Sequence, residues 1–170
     1  VRAMRAPRLE DAGPIGLHLG DARMARTLTQ IPHPYPPGAA EALVSRALSG
    51  KRSGPLYVME AEGQLVGLVF VNADGPDAAR ISYMVAPSCR KTGYATEGVA
   101  AVVDALFDQG VPAVTAVVFT DNEASAKVLT RLGFAYRGDG EEWSAGRGAT
   151  APAWRYLLTR TARDAAARPD

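Results

Sequence analysis

The segment from Ile81 to Phe107 reads as an apolar strand, a short polar turn and an Ala/Val-rich helix (ISYMVAPSCRKTGYATEGVAAVVDALF). The turn contains Arg90, Gly93 and Ala95. The first backbone N–H groups of a helix have no acceptor inside the helix, and the helix dipole adds partial positive charge at the same end. Gly93 and Ala95 carry no bulky side chain that would keep an anion away from the backbone. The segment therefore predicts a phosphate or pyrophosphate site at the start of a helix.

The remaining chain predicts a mixed sheet flanked by helices. Helical patterns begin at Ala12 and cover Asp21–Thr29, Ala39–Leu48, Gly93–Gln109 and the stretch from Asp121 or Asn122 to Gly133. Strand patterns cover Leu56–Glu60, Gln64–Val71, Arg80–Ala86 and Val114–Phe119, and two more strands are expected within Phe134–Thr159. The order is typical of an α/β (α+β) fold with a mostly antiparallel sheet. We expect one domain over residues 1–170, with a frayed tail from about 161 to 170.

Composition narrows the classes of function. The 19 basic and 18 acidic residues leave a net charge of +1, which provides no global field for nucleic acid. No run approaches the roughly 18 apolar residues of a membrane span, and the first residues lack the apolar core of a secretion signal. The single cysteine, Cys89, excludes an internal disulfide, and no CxxC or HExxH metal motif is present. We therefore expect a cytoplasmic protein with no metal, no membrane and no nucleic acid among its partners.

Two motifs carry a family resemblance. The turn has neither the spacing of a Walker A loop nor that of a dinucleotide-binding GxGxxG loop, but RKTGYA (Arg90–Ala95) fits the pattern Q/R-x-x-G-x-G/A. Downstream, TDNEASAKVLTRLGF (Thr120–Phe134) fits N-x-x-S-x-x-V-L-x-x-L-G-F. Together these blocks resemble the GNAT acetyltransferase superfamily. RLEDA (Arg8–Ala12) and IPHPYP (Ile31–Pro36) further resemble its ribosomal-protein-alanine N-acetyltransferase branch, so the likeness spans Arg8 to Thr159.

The resemblance implies a GNAT-type sheet with a splayed central strand pair and acetyl-coenzyme A as co-substrate. It implies that a primary amine, in a protein N-terminus or a small molecule, attacks the thioester directly in a ternary complex. A backbone N–H at Met84 or Val85 is then the oxyanion donor. The residues that the resemblance places at the cofactor are Met84, Val85, Arg90, Lys91, Thr92, Gly93, Tyr94, Ala95, Thr96, Asn122 and Ser125.

This chain departs from the family pattern at the residue that donates a proton to the departing thiolate. Many relatives have a tyrosine seven residues after Asn122, but this chain has Leu129 there. Ser125 is the remaining polar group on the first turn of the helix that contains Leu129, so we predict it to be the thiol partner. The alternative is that its hydroxyl bonds the backbone of its own helix. Asn122 is predicted to contact pantetheine, to cap the helix, or both. Tyr83 is a candidate catalytic residue or a tyrosine of the core or substrate wall.

The acceptor side stays open at this stage. Relatives often carry a glutamate before the central strand, where this chain has Arg80, and the alternative bases are Glu60, Asp74, Asp121, Glu141 and Glu142. His33 and Tyr35, in the proline-rich loop, are candidate substrate contacts. A non-catalytic acyl-coenzyme A-binding or regulatory module is the alternative to an enzyme. A nucleotide-binding protein of the doubly wound type is a third reading, disfavoured by the antiparallel front half, and monomer and homodimer are both compatible with the sequence.

Overall fold

The computed structural model describes residues 2–90 and 92–168. Its strands are β1 (Arg2–Arg5), β2 (Leu56–Ala61), β3 (Gln64–Ala73), β4 (Ala78–Val85), β5 (Ala113–Phe119), β6 (Ala135–Ser144) and β7 (Ala149–Thr159). Its helices are α1 (Ala12–Leu19), α2 (Ala22–Ala25), α3 (Ala39–Leu48), α4 (Tyr94–Asp108), α5 (Glu123–Leu132) and α6 (Arg160–Ala167), with short 3-10 turns at Leu9–Asp11 and Pro87–Cys89. Among these residues, no helix combines the length and the apolar character needed to cross a bilayer.

The seven strands form one sheet in the order β1-β2-β3-β4-β5-β7-β6. Every neighbouring pair is antiparallel except β4 and β5, which run parallel. That parallel pairing is short, because only Ala78–Arg80 pair with Ala113–Thr115 before the strands separate. The predicted mixed, mostly antiparallel sheet with a splayed central pair is therefore confirmed.

Helices cover both faces of the sheet, each over its own apolar cluster. On one face, α4 and α5 bury side chains such as Val99, Val103 and Leu129 against β3, β4 and β5. On the other face, α1, α2 and α3 bury residues such as Ile15 and Val44. Since full burial of an aliphatic side chain contributes about 1.5–3 kcal/mol, the two clusters are the main source of stability.

A close approach sets the position of α4 on the sheet. A Cβ built on Gly98 would lie 2.8 Å from the Met59 Cε and 2.9 Å from its Sδ. A side chain at Gly98 would have to displace the thioether end of Met59, which is buried in the core between α4 and β2. Gly98 therefore allows the close packing of α4 on the sheet.

Both ends of the described chain differ from the sequence-based expectation. β1 was not predicted, because its four residues show no strand pattern and it forms by pairing with β2. The segment expected to fray is helical over Arg160–Ala167. The Thr159 hydroxyl accepts a hydrogen bond from the Ala162 N–H, and Arg163 Nε lies 2.8 Å from Asp104 Oδ1 on α4. These tertiary contacts stabilise a helix that would be marginal alone.

A buried ion-pair network ties β1 to the start of α1. Asp11 precedes α1, but its side chain makes no capping hydrogen bond to that helix. Its carboxylate instead accepts hydrogen bonds from Arg5 (2.8 and 2.9 Å) and from the Arg8 N–H (2.6 Å). Arg5 also pairs with Glu60 on β2. The hydrogen bonds from Arg5 hold the pKa of Asp11 below its ordinary value.

We expect Asp11→Asn to lower the free energy of unfolding by about 2–3 kcal/mol at pH 7, because charge-assisted bonds to a buried carboxylate are lost. A carboxyl with a lowered folded-state pKa stabilises above its unfolded value of about 4 and loses this effect as the pH falls. Urea unfolding should therefore show the variant approaching the wild type towards pH 3. Asp108→Asn, at an exposed pair with Arg160, is the control and should change stability by less than about 0.5 kcal/mol. An equal effect of both substitutions would contradict the assignment.

Candidate active site

The separation of β4 from β5 leaves backbone groups unpaired at the centre of the sheet. Ala86 N–H donates to Val66 O at 2.8 Å, which makes this an antiparallel hydrogen-bonded pair. Hydrogen-bonded and non-hydrogen-bonded pairs alternate along such a ladder, so Met84 is hydrogen-bonded to Leu68 on β3. The N–H groups of Tyr83 and Val85 point away from β3 and towards β5. The pairing of β4 with β5 has already ended at Arg80. Of the two predicted oxyanion donors, the register therefore favours Val85 over Met84.

The predicted anion turn lies directly after this strand. Gly93 has φ +82° and precedes α4, and a Cβ built on it would meet no atom within 4 Å. The first intrahelical bond runs from Glu97 N–H to Gly93 O at 3.0 Å, so the N–H groups of Ala95 and Thr96 have no acceptor within the helix. The Thr92 hydroxyl donates to Cys89 O and closes the turn. The cradle is thus open to solvent and lined by main-chain donors.

Two basic side chains were assigned to this turn from the sequence. Arg90 is exposed, and its Nη2 lies 3.9 Å from the Met24 Sδ, so the guanidinium leans towards α2. Lys91 lies outside the described residues. The half-buried side chains of Tyr94, Ala95 and Thr96 occupy the first turn of α4 as predicted.

A serine–tyrosine pair lies between the gap and α5. Ser125 Oγ donates to the Tyr83 hydroxyl at 2.6 Å, and that hydroxyl donates to the Ser125 carbonyl at 3.0 Å. Burial raises the pKa of Tyr83 far above its ordinary value, so the phenol stays protonated. Because the Ser125 hydroxyl donates to Tyr83, it does not donate to the backbone of its own helix. The structure brings together the two residues that the sequence named as catalytic candidates.

The other two positions of the second motif have clear structural roles. Leu129, in place of the family's tyrosine, is fully buried in the core under α5. Asn122 occupies the N-cap position of α5 and is half-buried, but its side chain makes no capping hydrogen bond. The Asn122 side chain therefore does not cap the helix. Its contact with pantetheine stays a prediction.

A cavity of about 470 Å³ opens on the α1–α3 face of the sheet. Ile81, Ser82 and Val117 line it where β4 and β5 separate, so the cavity reaches the gap from the side opposite α4 and α5. Tyr35 is on its wall and is half-buried, which raises the pKa of its phenol. His33 is exposed and does not line the cavity. Of the two predicted substrate contacts, the structure places only Tyr35 at this cavity.

Most of the carboxylates considered as bases are held away from the gap. Three are in ion pairs: Glu60 with Arg5, Asp121 with Arg147 (2.8 Å), and Glu142 with Arg155 (3.1 Å) and Arg80 (3.4 Å). The hydrogen bonds from Arg147 lower the pKa of Asp121 and make it a poor base. Asp74 is different, because it lines the cavity and its carboxylate accepts a hydrogen bond from Thr115, the last β5 residue paired with β4. Glu141 is exposed.

A loop contact that sequence reasoning missed supports the segment that lines one end of the cavity. The turn between β6 and β7 packs on the segment after α2, where Ala145 N–H donates to Thr29 O at 2.9 Å. Arg147 joins the two, since it donates to Arg26 O at 3.1 Å and its guanidinium stacks 4.5 Å from the Phe119 ring. The glycines of this segment were the available signal, because a Cβ on Gly146 would lie 2.5 Å from a neighbouring backbone oxygen.

The sequence matches the family described as the acetyltransferase (GNAT) domain over residues 3–135. The chain belongs to the GNAT acetyltransferase family. The matched part runs from β1 through α5 and includes the turn at Gly93 and the Ser125 motif. The predicted family is thereby confirmed.

Individual relatives of this GNAT protein agree with that assignment. The uncharacterized N-acetyltransferase YoaA of Bacillus subtilis (strain 168) is 41% identical over 61 residues, which are 35% of this chain and 34% of that protein. The alignment thus spans about a third of the relative. Two solved structures share the fold. One is the ribosomal L7/L12 α-N-protein acetyltransferase RimL in complex with coenzyme A, with a TM-score of 0.83 and 18% identity over 95% of each chain. The other is the microcin C7 self-immunity acetyltransferase MccE in complex with acetyl-coenzyme A and AMP, with a TM-score of 0.80 and 15% identity over 93% of this chain and 92% of that one.

The residues of this GNAT protein fit the predicted co-substrate. The turn at Gly93 is open, with main-chain donors of α4 suited to a pyrophosphate. The adjoining edge of β4 has unpaired backbone groups suited to the amides of a pantetheine arm. Within the described parts of the chain no group of three or more His, Cys, Asp or Glu side chains is arranged to hold a metal ion.

Proposed function

We propose that the protein transfers an acetyl group from acetyl-coenzyme A to a primary amine by direct attack in a ternary complex. The observation that carries this proposal is the gap between β4 and β5. On one side it adjoins the anion turn and the Ser125–Tyr83 pair, and on the other it opens into the 470 Å³ cavity. Two substrates can therefore approach one point from opposite faces of the sheet.

The turn and the strand edge are the proposed cofactor-binding elements. The N–H groups of Ala95 and Thr96 bind pyrophosphate, with Arg90 adding charge nearby. The edge of β4 pairs with pantetheine, and Asn122 contacts the same arm. When bound, acetyl-coenzyme A supplies an activated thioester carbonyl and a thiolate leaving group. The N–H of Val85 donates to the charge that develops on the carbonyl oxygen.

The Ser125–Tyr83 pair is the proposed hydrogen-bond partner of the departing thiolate. The pKa of Tyr83 is raised by burial, so the phenol keeps its proton and acts as a hydrogen-bond donor, and Ser125 Oγ links it to the first turn of α5. On the other side, no carboxylate of the described residues lines the cavity to receive the amine's proton except Asp74, which is already hydrogen-bonded to Thr115. We propose that this proton leaves through solvent in the cavity.

Release of coenzyme A thiol against a panel of primary amines tests the function. The panel comprises peptides with free N-termini, amino sugars, polyamines and small aliphatic amines, with their N-acetylated forms as matched controls. We expect at least one amine to raise thiol release by about 10-fold or more over hydrolysis, with mass spectrometry showing an N-acetyl product. Tight binding of acetyl-coenzyme A with no stimulation by any amine would instead support the non-catalytic acyl-coenzyme A-binding module.

A further inference from the structure

The wall of the acceptor cavity has an unbalanced charge. Four cationic side chains line it, Arg46, Lys51, Arg52 and Arg80, against a single carboxylate, Asp74. Arg80 is paired with Glu142, and Asp74 accepts a hydrogen bond from Thr115. For Arg46, Lys51 and Arg52, no carboxylate partner is found within residues 2–90 and 92–168. This end of the cavity therefore carries positive charge that the carboxylates of the described residues do not neutralise.

Arg52 is held in a fixed position despite having no counter-ion. Its Nη1 donates to Gly54 O at 2.7 Å and to Val71 O at 3.3 Å, and its Nη2 donates to Asn72 Oδ1 at 3.0 Å. The guanidinium also lies 5.8 Å from the centroid of the Phe70 ring. These neutral acceptors orient the guanidinium without cancelling its charge.

Burial makes the missing counter-ion costly. Arg52 is half-buried, and burial together with the charge of Arg46 lowers the pKa of its guanidinium. Elsewhere, the shielded arginines are neutralised: Arg5 binds two carboxylates, and Arg147 and Arg163 each bind one. A desolvated cation beside two more cations is stabilised most by an anion that enters the cavity.

We propose that the acceptor is an amine whose other end carries a phosphate or carboxylate group, bound by Arg52, Arg46 and Lys51. This proposal rests on the proposed acetyl transfer and specifies its acceptor. The reacting amine lies at Ile81, Ser82 and Val117, where the cavity meets the gap, and the anion lies at the Arg52 end of the same cavity. A volume of about 470 Å³ is in the range of small-molecule sites. Polycationic amines are disfavoured by the same charges.

Matched acceptor pairs test the proposal: O-phosphoethanolamine against ethanolamine, glucosamine 6-phosphate against glucosamine, and β-alanine against propylamine, with spermidine as the polycation. We expect the anionic member of at least one pair to have a kcat/KM about 30-fold higher, mainly through KM. Arg46→Gln, Lys51→Gln and Arg52→Met should each raise that KM by about 10-fold and leave the neutral partner within twofold. Arg160→Gln, at an exposed arginine beside Asp108, is the control. Comparison of the phosphate and carboxylate pairs identifies the anion.

Calorimetric titration of O-phosphoethanolamine, glucosamine 6-phosphate and β-alanine into protein saturated with coenzyme A separates this inference from the proposed function. Binding of an anionic amine that weakens about 10-fold in Arg46→Gln, with no turnover of any amine, supports the anion site and refutes the transferase. If neutral amines or spermidine are acetylated as fast as the anionic partners or faster, and the variants do not change this, the anion site is refuted and the transferase stands. Because Arg52 also bonds the backbone, the exposed Arg46 and Lys51 variants decide the result if Arg52→Met does not fold.

Discussion

Gly93→Leu is expected to weaken the binding of acetyl-coenzyme A by at least about 100-fold, equivalent to about 2.7 kcal/mol. A Cβ built on Gly93 points into open space, with no atom of residues 2–90 and 92–168 within 4 Å. A leucine there adds the backbone strain of an L-residue at positive φ, and its side chain stands at the entrance to the N–H groups that begin α4. The loss of affinity beyond that strain therefore falls on the ligand.

Gly38 provides a matched control for backbone strain. It precedes α3 with φ +81° and ψ −5°, against φ +82° and ψ 1° for Gly93, and a Cβ there would also meet nothing. An L-residue in this conformation costs about 1–2 kcal/mol at either position. Gly38→Leu should thus share the destabilisation, while α3 lies on the face of the sheet opposite α4.

Calorimetry with coenzyme A and thermal unfolding of both variants measure the two effects. We expect similar losses of Tm and a loss of affinity in Gly93→Leu alone. Affinity retained in Gly93→Leu would refute the assignment of the turn as the pyrophosphate cradle. Equal loss in the two variants would attribute the effect to strain.

Removing either hydroxyl of the Ser125–Tyr83 pair is expected to lower kcat by about 100-fold, within the range for loss of one hydrogen-bond donor to charge that develops in the transition state. Each hydroxyl hydrogen-bonds the other residue, at 2.6 and 3.0 Å, so Ser125→Ala and Tyr83→Phe both interrupt the same donor unit. The double variant should be no slower than the slower single variant, because groups that act as a unit are not additive. Affinity for acetyl-coenzyme A should change by less than about threefold.

The control for loss of a tyrosine hydroxyl is Tyr57→Phe, at a half-buried tyrosine on β2 that packs on the same face of the sheet. It should leave kcat within twofold. Undiminished turnover in Ser125→Ala together with a 100-fold loss in Tyr83→Phe would assign the proton donor to Tyr83 alone. Full activity of both variants would show that the pair is only structural.

The same pair predicts an alkaline pH profile. Because burial raises the pKa of Tyr83 above the ordinary value of about 10, the phenol keeps its proton through the usual assay range. In the wild type, kcat should not fall between pH 7 and pH 10 while circular dichroism shows an intact fold. A decline centred near pH 9 would point to a different acid.

The local motifs were legible from the sequence because short-range physics decides them. A glycine before an Ala/Val helix, and an Asn and a Ser at the start of the next helix, indicate the turn and α5 whatever the rest of the chain does. The helix Ala39–Leu48 was predicted with the bounds that the structure shows, because its amphipathic period ends at a glycine. β1 and α6 were not, since each is stabilised by partners distant in sequence.

The sequence by itself determined the family, the mixed sheet and the place of the anion turn, all of which follow from residues adjacent along the chain. Only the tertiary structure decided which groups meet. The ladder register favours Val85 over Met84, and the fold pairs Tyr83 with Ser125 across 42 positions. Arg52 lines the acceptor cavity with no carboxylate partner among residues 2–90 and 92–168. Such contacts depend on strand register and packing between distant segments, which local residue patterns do not encode.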